Sequence, residues 1–292
     1  MPSRWNKRKG TSVGLTFSNL GGHMAVAVDG VDFRVAPSPA LAGMLRQALW
    51  DNQVLCIRGQ NIGPGAFLAA VSAFGEPQVR PEIPNVAGFP AVTTLSSEDR
   101  DTKGDGKRLV AGATWHSDDT FMARPSALTA LYGIVVPEVG GDTQFANMYA
   151  AYEALPEEKR RYLDTLAVVH TMKPARSDIG RTRSIDPAIL AQRPPSVHPL
   201  VRTHPETGRK SLYVSRNRMD HVVGMEREDG HRLIDELVEY ATQPQFTYRH
   251  KWRQGDVTIW DNRCLMHKAN GDYAEGARRF MQRIIVAGDV PV

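Results

Sequence analysis

Short apolar runs, many of them alternating with polar residues, recur along most of this chain, and only a few stretches repeat at helical spacing. Val13 to Phe33 is broken at Gly21-Gly22 and at Asp29-Gly30, which predicts strands joined by turns. Val54 to Arg58 and Leu128 to Val136 read as apolar strands. Phe246 to Trp252, Val257 to Trp260, Leu265 to Lys268 and Arg278 to Ala287 follow as further strands, parted by Gln254-Gly255-Asp256 and Asn270-Gly271-Asp272. Leu200 to His204 and Ser211 to Val214 flank Pro205-Glu206-Thr207-Gly208, which carries the chemistry of a hairpin turn.

Four stretches are helical in period. Leu41, Met44, Leu45, Ala48 and Leu49 recur behind Ser38-Pro39, an N-cap and first-turn pair. Gly65 to Phe74 closes at Gly75. Asn147 caps a helix expected to run to about Leu163, with Tyr149, Tyr152 and Leu155 facing inward. Arg227 to Ala241 places Leu233, Leu237 and Tyr240 in register. Many short strands with Gly-rich turns and few helices point to a mainly β protein with flanking helices, built on a double-stranded β-helix (jelly roll) core, rather than to a doubly wound sheet.

Composition narrows the class. The 292 residues, 41% hydrophobic and 23% charged, suit one elaborated domain spanning 1–292, with 1–10 expected to be flexible. Two polar segments, 96–113 and 173–197, are expected to form lids or insertions. No apolar run approaches a membrane span of about 20 residues, and the basic N-terminus lacks the apolar segment of a secretory signal. With only two cysteines, Cys56 and Cys264, the expected setting is a reducing one, hence cytoplasmic. The net charge of +4 is scattered, with no aromatic-interleaved basic patch, so a small anionic molecule is the expected partner and neither nucleic acid nor membrane is. A homo-oligomer is the expected assembly.

Candidate chemistry sits in Trp115-His116-Ser117-Asp118. In an extended strand His116 and Asp118 share a face while Ser117 and Asp119 turn away. With the distant His267 they would form two imidazoles and a carboxylate on one metal, the arrangement of non-haem Fe(II) oxygenases. Downstream, Arg279, Met281, Arg283 and Ile285 share one face of the last strand, and buried arginines there call for anions. The forked guanidinium of Arg279 matches a carboxylate, whereas Arg278 should face outward.

Together with Gly140-Gly141-Asp142-Thr143, Trp260-Asp261-Asn262-Arg263 and Ala277-Arg278-Arg279, these segments resemble the taurine dioxygenase and dichlorophenoxyacetate dioxygenase family, from about Val54 to Gly288. The resemblance implies Fe(II) held by His116, Asp118 and His267. It implies 2-oxoglutarate as co-substrate, bound by Arg279 and Thr143, with Arg283 near the metal-bound carboxylate or the prime substrate. O2 is then consumed and a substrate C–H bond hydroxylated, giving succinate and CO2, with C–O or C–S cleavage able to follow. Asp118 argues against a halogenase, which needs that coordination position. Taurine-specific members carry a His after the Phe-Gly-Glu segment and an Asn four residues before the first metal histidine. The counterparts here are Arg80 and Gly112, which points away from taurine and toward an aryloxyalkanoate-like or other small organic acid. Arg80, a pocket enlarged at Gly112, and Trp115 as a wall are the expected substrate contacts. The alternatives are a taurine, alkylsulfonate or alkyl sulfate dioxygenase, a non-catalytic anion-binding protein on the same fold, and a zinc hydrolase.

Overall fold

The N-terminal alternation forms β1 (Thr16–Gly21) and β2 (Ala25–Asp29), an antiparallel pair with Thr16 opposite Asp29. Helix α1 (Pro39–Asn52) follows because Ser38 accepts a hydrogen bond from the Leu41 amide and Pro39 needs no partner in the first turn. It crosses over to β3 (Val54–Ile57), which pairs parallel to β2. Helix α2 (Pro64–Ser72) leads on to β4 (Asn85–Val86), β5 (Phe89–Ser96) and β6 (Leu128–Val135). The computed structural model describes residues 14–21, 24–99, 110–173 and 187–292. Most of the first polar segment (100–109) and half of the second (174–186) therefore lie outside the described residues, and with them those parts of the two lid expectations.

After β7 (Thr143–Asn147), the expected single helix is two, α3 (Met148–Glu153) and α4 (Glu157–Leu163). The apolar period runs through both, but Pro156 has no N–H to continue the ladder and instead sits at the start of α4. β8 (Ala167–His170), α5 (Pro187–Ala191), β9 (Ser196–Pro199), β10 (Val201–Thr203), β11 (Lys210–Leu212), β12 (Met219–Val222) and α6 (Arg227–Ala241) come next. The chain ends in β13 (Thr247–His250), β14 (Val257–Asp261), β15 (Leu265–Ala269) and β16 (Phe280–Val286).

The chain is thus mainly β with a few helices. An eight-stranded sheet runs β1-β2-β3-β14-β6-β16-β5-β4, and a three-stranded sheet runs β13-β7-β15. Strand alternation sorts the eight-stranded sheet into two faces. Ile57, Ala130, Ile259 and Ile284 pack beneath α1 and α2 with Leu45, Leu49, Phe67 and Val71. Leu131, Trp260 and Met281 point the other way and meet Phe145, Tyr248 and Leu265 of the smaller sheet. Behind that smaller sheet α3 and α6 bury Met148, Tyr152, Leu233 and Leu237 with Ala146 and Met266. Both sheets therefore turn a face to one interior space. No helix among the described residues is long and apolar enough to cross a membrane.

Candidate active site

His267 sits on β15 opposite Phe145 of β7, so its side chain enters the space between the sheets. His116 pairs with it directly: the His116 amide donates to the His267 carbonyl at 3.0 Å and the His267 amide to the His116 carbonyl at 2.7 Å. This is a single antiparallel bridge, not the extended strand expected for 115–118. The chain turns immediately afterward, with Asp119 at φ 56°, and the turn rather than strand alternation brings Asp118 round to the two imidazoles. The imidazole Nε2 of His116 lies 3.5 Å from Asp118 Oδ1, that of His267 3.8 Å from Asp118 Oδ2, and the two rings are 4.3 Å apart between centroids.

The donor set of this cluster suits a cation. His116 Nδ1 is 2.7 Å from the Thr114 carbonyl, which only accepts, so in the neutral ring Nδ1 carries the proton and Nε2 is a bare lone pair. That lone pair faces a carboxylate. Burial, reinforced by His116 and opposed by Asp118, holds His267 down to about 3, so its ring is neutral. Burial would raise the Asp118 carboxyl, but His267 and His116, with Arg283 near, keep it well below the ordinary carboxylate range. Two imidazole nitrogens and one carboxylate, all within 4.8 Å of each other, fit a divalent metal through His116, Asp118 and His267. Two further buried groups, Cys56-His250-Asp256 and His204-Asp261-Cys264, share that spacing. In the first, His250 is tied to Tyr248 and Thr258; in the second, His204 binds Asp261, which Arg263 neutralises. His204 also takes the Glu206 and Thr207 amides on Nδ1, the turn role expected of it.

A line of donors that periodicity did not reveal supports the carboxylate. Trp260 Nε1 donates to Asn262 Oδ1 at 3.0 Å, Asn262 Nδ2 to Thr129 Oγ1 at 2.9 Å, and Thr129 Oγ1 to Asp118 Oδ2 at 2.6 Å. The signal for Thr129 was a lone polar residue, fully buried, within an apolar strand.

The site opens into a cleft of about 750 Å³, open solvent at its mouth included. Arg279, Arg283, Thr143 and Gly112 line it together with the three candidate ligands. Arg279 is buried and donates through Nε to the Gly141 carbonyl at 3.2 Å. Burial lowers its pKa against the smaller opposing pull of Tyr273 and Asp142. Gly140 and Gly141 hold φ of 78° and 72°, and a Cβ on Gly140 would stand 2.7 Å from the Asp272 carbonyl. Arg249 fixes this turn from outside by pairing with both Asp142 and Asp272. Thr143 Oγ1 accepts from Trp252 Nε1 at 3.0 Å, so its hydroxyl proton remains available to a ligand. Arg283 donates through Nε to Thr93 Oγ1 at 3.3 Å. Arg278 is exposed and pairs with Glu98, as expected.

Two of the three expected substrate contacts are placed differently. Arg80 is buried, but it does not line the cleft: it pairs with Asp119 and Gln78, and Ser126 binds the same Asp119 oxygen. Trp115 does not line it either; it packs toward the α3 and α6 core, with Lys268 Nζ 5.2 Å above its ring. Gly112 does line the cleft, and it also leaves room for an imidazole. At φ 75°, its Cβ would stand 3.0 Å from His116 Cε1.

Residues 16–285 match the family described as taurine catabolism dioxygenase TauD, TfdA, and the chain belongs to that family. It is 33% identical over 271 residues to the alpha-ketoglutarate-dependent 2,4-dichlorophenoxyacetate dioxygenase of Burkholderia sp. strain RASC, covering 89% of this chain and 90% of that one. It is 31% identical over 286 residues to an alkylsulfatase of Acinetobacter baylyi, covering 94% and 86%. Among solved structures, a taurine dioxygenase from Burkholderia xenovorans superposes with a TM-score of 0.80 at 33% identity, over 95% of this chain and 91% of that one.

Proposed function

We propose that this chain, an Fe(II)- and 2-oxoglutarate-dependent dioxygenase, hydroxylates a small organic anion of the aryloxyalkanoate or alkyl sulfate kind. The observation that carries the reading is the convergence of His116, Asp118 and His267, whose ligand atoms all lie within 4.8 Å of one another at the head of the cleft, with His267 held neutral by burial. His116, Asp118 and His267 hold the metal. Bound iron and 2-oxoglutarate, with O2, supply the oxidising power for C–H hydroxylation, giving succinate and CO2. Arg279 receives the distal carboxylate of 2-oxoglutarate in its guanidinium fork, and the Thr143 hydroxyl donates to the same group. Arg283, with Nε tied to Thr93, keeps its terminal nitrogens for the inner carboxylate or the prime substrate. Leu131 and Trp260 form an apolar wall that limits water beside the metal.

The organic-acid preference draws on the two arginines in the cleft and on relatives named for 2,4-dichlorophenoxyacetate and alkyl sulfates. A hydroxylated carbon that bears an ether or sulfate oxygen yields a carbonyl compound and the freed leaving group. The two facing sheets form the halves of a double-stranded β-helix, and residues 1–292 make one dioxygenase domain. Two free cysteines, both buried, support a cytoplasmic setting.

The test is succinate release from 2-oxoglutarate under Fe(II), screened over carboxylates, sulfonates and sulfate esters. An anaerobic titration should show a visible charge-transfer band that disappears in His116→Ala, Asp118→Ala and His267→Ala. A band and full turnover in all three variants refutes the metal assignment. A zinc hydrolase would instead act without O2 or keto acid, and a non-catalytic binder would release no succinate.

A further inference from the structure

The arginine expected to read the substrate, Arg80, is already neutralised by Asp119, so any anionic group placed on the far side of the metal needs another cation. The turn between β11 and β12 supplies one. Asn217 Nδ2 lies 3.5 Å from Thr114 Oγ1, and Thr114 is the residue whose carbonyl orients His116. One residue on, Arg218 sets its guanidinium 5.3 Å from the ring centre of Phe121, three positions beyond Asp118, and donates through Nη1 to the Met172 carbonyl. Arg218 thus comes from the turn between β11 and β12, whereas Arg283 lies on β16 and Arg279 immediately before it.

Its charge has no ion-pair partner among the described residues. Among the described residues no carboxylate lies within ion-pair distance of Arg218, and the only hydrogen bond its side chain makes is to that neutral carbonyl. Burial lowers its pKa, while Asp119 and Asp118 are close enough to push back. Asp119 pairs with Arg80 and Asp118 faces the two imidazole nitrogens, and neither carboxylate is within ion-pair distance of Arg218. A partly buried guanidinium without a counter-ion is costly to keep unless something anionic visits it. Its fork suits a carboxylate, sulfonate or sulfate oxygen pair, and Phe121 beneath it holds the plane of the fork in place.

We infer that Arg218 is the specificity-determining cation for the prime substrate, receiving its anionic head group next to the metal while Arg279 holds the co-substrate. Arg218 does not itself line the cleft, so the substrate's head group extends past Asp118 toward Phe121 to meet it. This inference rests on the dioxygenase reading and names the charge selectivity of the same site.

The test compares phenoxyacetate with phenoxyacetamide, and an alkyl sulfate with the corresponding alcohol, in wild type, Arg218→Gln, Arg218→Lys and the exposed control Arg278→Gln. Both turnover and binding to the iron-free protein, followed by tryptophan fluorescence, are measured. Wild type should favour each anion over its neutral partner by at least tenfold. Arg218→Gln should lose most of that preference through KM and binding, Arg218→Lys should restore part of it, and the KM for 2-oxoglutarate should stay unchanged in all. An anion preference that survives Arg218→Gln, or a wild type that does not distinguish acid from amide, overturns the inference. Failure of the dioxygenase reading is separately visible, because it removes the Fe(II)–2-oxoglutarate absorption band from wild type itself.

Discussion

Asp118 is held by three kinds of neighbour at once: imidazoles on one side, Arg283 nearby, and the Thr129 hydroxyl behind it. Every donor in the line from Trp260 to Asp118 has one direction available to it. An indole N–H can only donate, which commits the Asn262 oxygen to accept and its NH₂ to donate, and this commits the Thr129 proton to Asp118. The line therefore fixes which carboxylate oxygen remains turned toward the metal. Partners of this kind commonly matter tenfold to a hundredfold to metal affinity. Thr129→Val keeps the shape but removes the proton and strands the Asn262 NH₂. Fe(II) affinity, read from the charge-transfer band in an anaerobic titration, should fall by about 10- to 100-fold, with 2-oxoglutarate affinity at saturating iron unchanged and Thr129→Ser close to wild type. Unchanged iron affinity in the valine variant would mean that the line only packs the core.

Among the elements, the turn from β6 into β7 does the most to position the co-substrate site. Gly141 at φ 72° lets its carbonyl meet Arg279, and a Cβ there would stand 2.9 Å from Pro137 Cγ and 3.3 Å from Arg279 Cδ. Gly276 has a similar φ of 85°, and a Cβ on it would meet nothing within 4 Å, so it isolates the backbone cost alone. Gly276→Ala should lose about 1 kcal/mol and keep its kinetics. Gly141→Ala should lose more than that and raise the KM for 2-oxoglutarate, measured by denaturant unfolding and succinate release; equal losses with normal KM would exclude the contact argument. Elements whose cause is local were legible in the sequence: Ser38-Pro39 announced α1, Asn147 announced α3, and Gly75 ended the stretch containing α2. The break at Pro156 was written there too, but a continuous apolar period masked it. The histidines and carboxylate could be singled out by residue type, yet the means of their approach could not. A one-residue bridge and a turn with Asp119 at φ 56° leave no periodicity to read. Thr129 with Asn262, and Arg80 with Asp119, meet through strand register and long-range folding, which residue spacing does not encode.

At the scale of the whole molecule, the two sheets and the helices behind them enclose buried imidazoles that fold in the neutral form. His170 is fully buried against His198 and Tyr213, with ring centroids at 5.2 and 5.9 Å, and neither of its nitrogens has a hydrogen-bond partner among the described residues. Burial, helped by His198, lowers its pKa from 6.5 to about 3, and burial lowers His198 and His250 as well. Above about pH 6.5 the ring is neutral in both the folded and unfolded chain, so stability does not depend on it. Below that, the unfolded chain takes up a proton that the folded chain refuses, and stability falls with falling pH until the folded ring also titrates near 3. Each pH unit inside this window costs about 1.4 kcal/mol for one such group, so His170 alone should remove roughly 2 kcal/mol between pH 7.5 and pH 5. Replacing it by Leu removes the titration while leaving an apolar ring-sized site filled in part. Any packing change in His170→Leu is the same at both pH values, so the difference between them isolates the proton. Urea unfolding at pH 7.5 and pH 5 should show wild type losing about 2 kcal/mol more than His170→Leu across the interval; an equal loss in both proteins would mean that His170 is charged, or open to solvent, in the fold.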